Sequence, residues 1–470
     1  MTFTRREFLA ATGATMAAAT GYFGQTAAAA ESRLSQSPNE QPTLGYIGTG
    51  IRFHTALGEA GMKFGPCARI ADVDSVQGGR AIQKAMDAHR ERGWPIDLRW
   101  TEDYRHVLDD NNIDIVIIAS PDHWHAKQVV EALAAGKDVY CEKPLTLTIE
   151  EGTMIEQAIN KTGRIVQVGT QQRTEFNSLF VNAAAMARDN RVGKMQTVNV
   201  CLGGSREAVP LPVVDPPQSL NWEKWLGQCP TVDYRAAPTI ADNTGWGAGH
   251  PFGRAHRYYR WWYEYSGGKL TDWGAHHVDI AMLALNKLGD DIGNVKIEPI
   301  SVTHPVPFVD GMPTKDDRFN AATNFKVRIL FEDGIEMFVR DSAEELGFNN
   351  GIMFQGTQGR YLVNRGKLVG TPVEMLKENP LPEDPFEMVY GRAKPESHMA
   401  HFIQCVRNRE QPISDVKSHN AMLNVCHAIN IAMRLNRTLT YDPKSREFVG
   451  DEQANSFIGR ERRQGYDIVV

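Results

Sequence analysis

The stretch T-L-G-Y-I-G-T-G-I-R-F-H-T-A-L, Thr43 to Leu57, is a short apolar run that breaks into glycines and then takes up a helical pattern. That succession opens a strand–turn–helix unit of the βαβ kind. Gly45, Gly48 and Gly50 supply the tight turn and the bare backbone that a pyrophosphate needs at a helix N-terminus, where Ile51 follows. Phe53 stands where the third glycine of G-x-G-x-x-G would fall, so the packing of strand on helix has to differ there.

Working outward, C-A-R-I-A-D-V-D (67–74) is a second apolar run that ends in acids about 20 residues after the glycines. I-D-I-V-I-I-A-S (113–120), V-V-E-A-L-A-A-G (129–136), K-D-V-Y-C (137–141) and R-I-V-Q-V-G-T (164–170) continue the alternation of strand and helix. Unbroken Val/Ile runs fit parallel strands covered on both faces. Residues 43–172 are therefore expected to form a doubly wound dinucleotide-binding domain. Asp72, closing the second strand, would accept hydrogen bonds from the adenosine ribose and repel a 2'-phosphate, which favours NAD. NADP stays open, because Arg52 or Arg80 could receive a phosphate.

Beyond residue 195 the pattern changes. M-Q-T-V-N-V-C-L (195–202), V-K-I-E-P-I-S-V (295–302), N-F-K-V-R-I-L-F-E-D-G-I-E-M-F-V-R (324–340) and G-R-Y-L-V-N-R-G-K-L-V-G (359–370) alternate apolar and polar residues, the mark of an antiparallel sheet with one solvated face. The fold class expected is α/β, an N-terminal Rossmann domain joined to a C-terminal α+β domain with a largely antiparallel open sheet, the second domain spanning 173–445 and a tail 446–470. Residues 203–266, rich in Pro, Gly, Trp and Tyr, are too long for a plain connection and are expected to form packed functional loops.

The composition removes several classes of function. Hydrophobic residues are 42% and charged residues 23% of the 470, with a net charge of -6, so no basic footprint for nucleic acid exists. The six cysteines, at 67, 141, 201, 229, 405 and 426, form no C-x-x-C pair and signal neither a zinc cage nor a disulfide framework. Residues 1–30 have the charged, apolar and small-residue regions of a signal peptide, and Arg5-Arg6 followed by Phe8-Leu9 resembles the twin-arginine export signal. A linker at 31–42 would follow. The expected location is the periplasm or another exported compartment, with no membrane attachment after the signal is removed.

A-S-P-D-H-W-H (119–125) and Y-C-E-K-P (140–144) both fall at carboxyl ends of parallel strands, where open α/β sheets bind ligands. Ser120, Pro121, His125, Glu142 and Lys143 thereby join Gly48, Gly50, Ile51 and Asp72 as candidate cofactor contacts. The order I-G-T-G, A-D-V-D, S-P-D-H-W-H, A-L-A-A-G-K-D-V-Y-C-E-K-P-L and then G-G-K-L-T-D-W-G-A-H-H-V-D (267–279) resembles the Gfo/Idh/MocA oxidoreductases, the glucose-fructose oxidoreductase and inositol dehydrogenase family, over nearly the whole chain after the signal. The resemblance implies that Lys143, Asp272 and His276 line the substrate site and that the Lys143–Pro144 bond is cis.

The residues agree with that placement. Positions four apart on a helix share a face, so Asp272 and His276 can point into one pocket, with Asp279 near the same side. An imidazole titrates near neutrality and is the natural base for a hydroxyl proton, while Lys143 could orient that hydroxyl and Asp272 a neighbouring one. His277 points about 100° away and is expected to be structural. His123 and His125 could ligate a metal, yet no further ligands stand at a supporting spacing, so no metal is expected. Arg173, Tyr258, Arg260 and Tyr263 are the candidate substrate contacts, since aromatic faces stack on sugar rings and arginine donates to hydroxyls. The function expected is oxidation of a sugar, polyol or sugar derivative on tightly held NAD(H). The alternative is a redox-neutral glycosidase that oxidises, eliminates, hydrates and reduces. The expected partners are a carbohydrate and, through the C-terminal sheet, a second copy of the chain.

Overall fold

The computed structural model describes residues 41–470 except 96, 208 and 242–250, so the expected signal segment lies outside the described residues. Six parallel strands form the first sheet: β1 (Leu44–Ile47), β2 (Cys67–Ala71), β3 (Arg99–Thr101), β4 (Ile115–Ile118), β5 (Asp138–Cys141) and β6 (Val166–Val168). Their order, β3-β2-β1-β4-β5-β6, reverses direction between β1 and β4. Every residue of β1, β4 and β5 is buried, because helices cover both faces. Three of these are α1 (Ser75–Arg92), α2 (Asp122–Ala134) and α3 (Ile149–Thr162). Asp74 caps α1 by accepting from Val76 N–H, and Thr148 caps α3 by accepting from Glu151 N–H. Gly93 and Gly163 end these two helices in the left-handed conformation.

The departure at Phe53 has a structural answer. Its ring is buried and stands edge-on to Tyr46, with centroids 5.1 Å apart, and the helix widens to a π turn over Phe53–Leu57. Close approach of helix to sheet is moved two turns on, to Gly61, where a Cβ would lie 2.7 Å from Ile117 Cδ1.

The second sheet contains nine strands: β7 (Met195–Cys201), β8 (Val295–Thr303), β9 (Asn324–Phe331), β10 (Glu336–Arg340), β11 (Gly351–Gly356), β12 (Gly359–Val363), β13 (Leu368–Val369), β14 (Leu439–Asp442) and β15 (Glu447–Phe448), in the order β13-β12-β11-β7-β10-β9-β8-β14-β15. All its pairings are antiparallel except β7 with β10. Along β9 buried residues alternate with more exposed ones, as one-sided packing demands. The covered face meets α4 (Leu179–Arg188), α5 (Gly268–Ala284) and α7 (Val416–Leu435). Helix α6 (His398–Asn408) instead returns to the first sheet, where Met399, Phe402, Ile403 and Val406 pack with Tyr46, Ile117 and Tyr140.

The described residues of 203–266 share a core in which Trp225, Tyr258, Trp262 and Tyr265 cluster with Phe319. Residues 446–470, set apart as a tail on sequence grounds, are woven into the molecule: Ile468 is buried in the main core, and Lys127 Nζ donates to the Asp467 carbonyl at 2.6 Å. No described helix is long and apolar enough to cross a membrane.

Candidate functional site

A cavity opens at the carboxyl edge of the first sheet where the strand order reverses, and Gly48, Gly50, Ile51, Arg52, Asp72, Ser120 and Pro121 line it. Gly48 sits at φ 79°, and a Cβ there would lie 2.6 Å from Ser120 Cα, so this turn requires glycine. At Gly50 a Cβ would meet nothing within 4 Å, which leaves bare backbone facing the cavity. Asp72 is half-buried on the cavity wall: Oδ2 accepts from Thr49 N–H at 2.6 Å and from its hydroxyl at 3.0 Å, and Oδ1 accepts from Asp74 N–H at 2.9 Å. Burial pushes its carboxyl above the usual carboxylate range, and the three hydrogen bonds oppose that shift. Asp74, which the sequence reading passed over, also lines the cavity and holds His256 Nε2 at 2.9 Å.

Bare glycine backbone beside two carboxylates fits a dinucleotide whose ribose carries free hydroxyls. Neither arginine considered for a 2'-phosphate is placed for one. Arg52 Nε is held by Glu142 Oε1 at 2.7 Å, and Arg80 lies in a separate groove with His54 and Glu59. Arg105 and Lys224, which do line the cavity, are paired with Asp103 at 3.2 Å and Glu102 at 3.4 Å.

Beyond Arg52 the two domains meet. The Lys143–Pro144 bond is cis, and Lys143 Nζ donates to Asp272 Oδ1 at 2.6 Å and to the Asp272 carbonyl at 2.7 Å. Glu142 points elsewhere, its Oε1 accepting from Arg52 and from Gln171 Nε2 at 3.0 Å. Arg260 bridges the two regions: it lines the nucleotide cavity and brings Nε to 3.8 Å from Asp272 Oδ1. Burial alone would raise the Asp272 carboxyl, but Lys143, Arg260 and Lys269 hold it well below the usual range.

His276 follows one helical turn after Asp272 and is 6% exposed. Its Nδ1 is buried without a hydrogen-bond partner among the described residues. Burial first, and then the charges of Lys143, Arg365 and Arg52, push its pKa well below 6.5, so the ring is neutral and able to accept a proton. His277 faces away, with Nε2 3.1 Å from Asn350 Oδ1 and its pKa pushed down to about 4 by burial. The H-x-H pair is occupied by backbone: His123 Nε2 lies 2.9 Å from the Trp225 carbonyl, and His125 spans the carbonyls of Pro144 at 2.7 Å and Ser120 at 2.8 Å. His125 thus ties the Lys143 loop to the cavity wall.

Three substrate candidates lie elsewhere. Arg173 is 1% exposed and makes a double bridge to Asp279, at 2.8 and 2.6 Å, with further bonds to the Ile413 carbonyl and Ser418 Oγ, so it staples helices together and presents no donor to a ligand. Tyr258 is fully buried and stacked on Phe319 at 6.1 Å. The Tyr263 hydroxyl accepts from Ala322 N–H at 3.3 Å, and Arg434 lies over its ring at 5.3 Å. Conversely, Lys269, Trp273 and Arg365 gather near His276 and escaped the sequence reading. The first two were legible as neighbours on the Asp272 helix, three before and one after.

The family of the chain follows from comparison with known proteins. Residues 43–170 match an oxidoreductase family's NAD-binding Rossmann fold, and residues 202–468 match the C-terminal alpha/beta domain of the same family. The chain belongs to the Gfo/Idh/MocA oxidoreductases. Scyllo-inositol 2-dehydrogenase (NAD(+)) of Bacillus subtilis (strain 168) is 34% identical over 129 residues, which is 27% of this chain and 35% of that protein, so the match spans about a third of the relative's length. Among solved structures, the WlbA dehydrogenase from Bordetella pertussis in complex with NADH and UDP-GlcNAcA superposes with a TM-score of 0.55 at 16% identity, covering 85% of this chain and 98% of that one. Aldose-aldose oxidoreductase from Caulobacter crescentus gives 0.53 at 17% identity, covering 85% and 99%. These likenesses show the fold.

Proposed function

We propose that the protein is an NAD-dependent oxidoreductase that oxidises a hydroxyl-bearing carbon of a sugar, polyol or sugar derivative and retains its nucleotide between turnovers. The observation that carries this reading is the convergence of Lys143 Nζ on Asp272 at 2.6 Å, on the helix face that His276 shares, beside Arg260, which lines the cavity of the glycine turn. Bound NAD would supply a two-electron acceptor for the hydride. The chain supplies the rest. His276 takes the hydroxyl proton through its ring, Lys143 orients the hydroxyl and balances charge developing on its oxygen, and Asp272 fixes the direction of the ammonium. Relatives named for inositol and aldose oxidation support a polyhydroxylated substrate.

Retention fits the walls of the cavity, to which Trp225 from the loop segment and Tyr466 from the C-terminal segment both contribute. It also fits the twin-arginine reading of Arg5-Arg6, since a protein exported in folded form carries its nucleotide with it. Mass spectrometry of the purified protein, followed by incubation with a panel of sugars, polyols and glycosides, tests the proposal. A bound nicotinamide nucleotide and a keto or lactone product are expected. A protein free of nucleotide that neither binds NAD nor oxidises any member would overturn the reading, and release of an aglycone without net reduction would select the glycosidase route.

The pH profile gives a second expectation. A base whose pKa is depressed stays unprotonated as pH falls through 6.5, so the acid limb of kcat/KM should lie below that value. A limb at or above pH 6.5 would assign proton abstraction to another group.

A further inference from the structure

Two cations beside the candidate site have no acid partner among the described residues. Lys269 lies in the first turn of α5, and its Nζ is 5.4 Å from the centroid of the Trp273 ring. Arg365, from the turn joining β12 to β13, stacks over the same indole at 4.8 Å and over Phe176 at 4.6 Å. Its Nε donates to Gln172 Oε1 at 3.2 Å. Among the described residues neither side chain makes an ion pair. Burial is the main cause that lowers the basicity of both, other cations add to it, and Asp272 opposes it. The carboxylates that reach them are Asp272, taken by Lys143 at 2.6 Å, and Glu142, taken by Arg52 at 2.7 Å. Cations held partly out of water without compensation are costly, and a ligand that brings the missing negative charge removes that cost.

We propose that the substrate is a sugar derivative bearing an anionic group, a carboxylate or a phosphate, which docks between Lys269 and Arg365 beside the Trp273 ring. The proposal rests on the oxidoreductase reading and deepens it. The carbon to be oxidised lies by His276, and the anion is held beside it on the same helix. A guanidinium receives a carboxylate or phosphate through paired N–H donors, while the ammonium acts as a point charge, so together they select a charged ring over a neutral one.

The test uses the full chain loaded with NAD and matched pairs of compounds: glucose with glucuronate, galactose with galacturonate, and glucose with glucose 6-phosphate. Both kcat/KM and calorimetric affinity are measured, and the two kinds of acid separate carboxylate from phosphate. At least one anionic member is expected to exceed its neutral counterpart by about tenfold or more. In Lys269→Met and Arg365→Met that advantage should shrink toward parity. Neutral members that bind and react as well as their anionic counterparts, or a preference surviving in both variants, would overturn the subsite while leaving the oxidoreductase reading intact. If no member is oxidised, that reading falls, and calorimetry still decides the subsite. Anion binding lost in both variants supports it, and no preference for the anion overturns it.

Discussion

Replacing Lys143 with alanine is expected to lower kcat by about 10²–10⁴-fold while the protein keeps its nucleotide. The two halves of that result come from different parts of the cleft. The nucleotide cavity is walled by the glycine turn, Asp72, Ser120 and Pro121, none of which depends on the ammonium. Lys143 instead spans the domain junction, and its Nζ holds both the carboxylate and the carbonyl of Asp272. Without it, Asp272 keeps only the more distant Arg260 at 3.8 Å and Lys269, and the burial that favours its neutral form is opposed less strongly. The substrate hydroxyl then loses the group that points it at His276. Steady-state kinetics together with the nucleotide content of the purified variant read both halves. A variant that keeps full activity would remove Lys143 from the mechanism.

Arg173→Met is expected to be the most destabilising single change, costing about 3–5 kcal/mol. Asp279 is 0% exposed, and Arg173 holds both of its oxygens. Removing the arginine strands a carboxylate in the core and frees the Ile413 carbonyl as well. The double variant Arg173→Met with Asp279→Leu removes both charges together and should recover a large part of the loss. Denaturant midpoints of the wild type, both single variants and the double variant check this. A single variant that unfolds where the wild type does would show the pair to be energetically silent.

Much of this molecule was legible in its residues because the strongest signals are local. Unbroken runs such as Ile115–Ile118 identify strands covered on both faces, and a glycine between β1 and the following helix fixes a turn whose purpose is nearly unique. Strand β11, Gly351–Gly356, escaped notice because it is buried along most of its length and shows no alternation. The parallel pairing of β7 with β10 was equally hidden, since strand direction across a long connection leaves no periodic trace. At the site, the resemblance to the family picked out Lys143, Asp272 and His276, the four-residue spacing of the last two agreed with it, and the fold joins Lys143 to Asp272 with His276 one turn further along the helix. Arg173 and Tyr258 carried the right chemistry with the wrong burial, which depends on neighbours more than a hundred residues away for Arg173. Arg365 could not be foreseen, because only the tertiary fold carries that turn to Trp273.

The place of β7 in the second sheet constrains how the chain acquires its shape. Thr197 pairs with Glu336 and Val200 with Ile352, so this strand, whose last residues Val198–Cys201 end buried, has neither neighbour until some 140 further residues have been made. At a synthesis rate of about 5–20 residues per second, that interval is on the order of ten seconds. A nascent chain in this condition offers an unpaired, partly apolar edge to its surroundings throughout that interval, which is when association with others of its kind competes with folding.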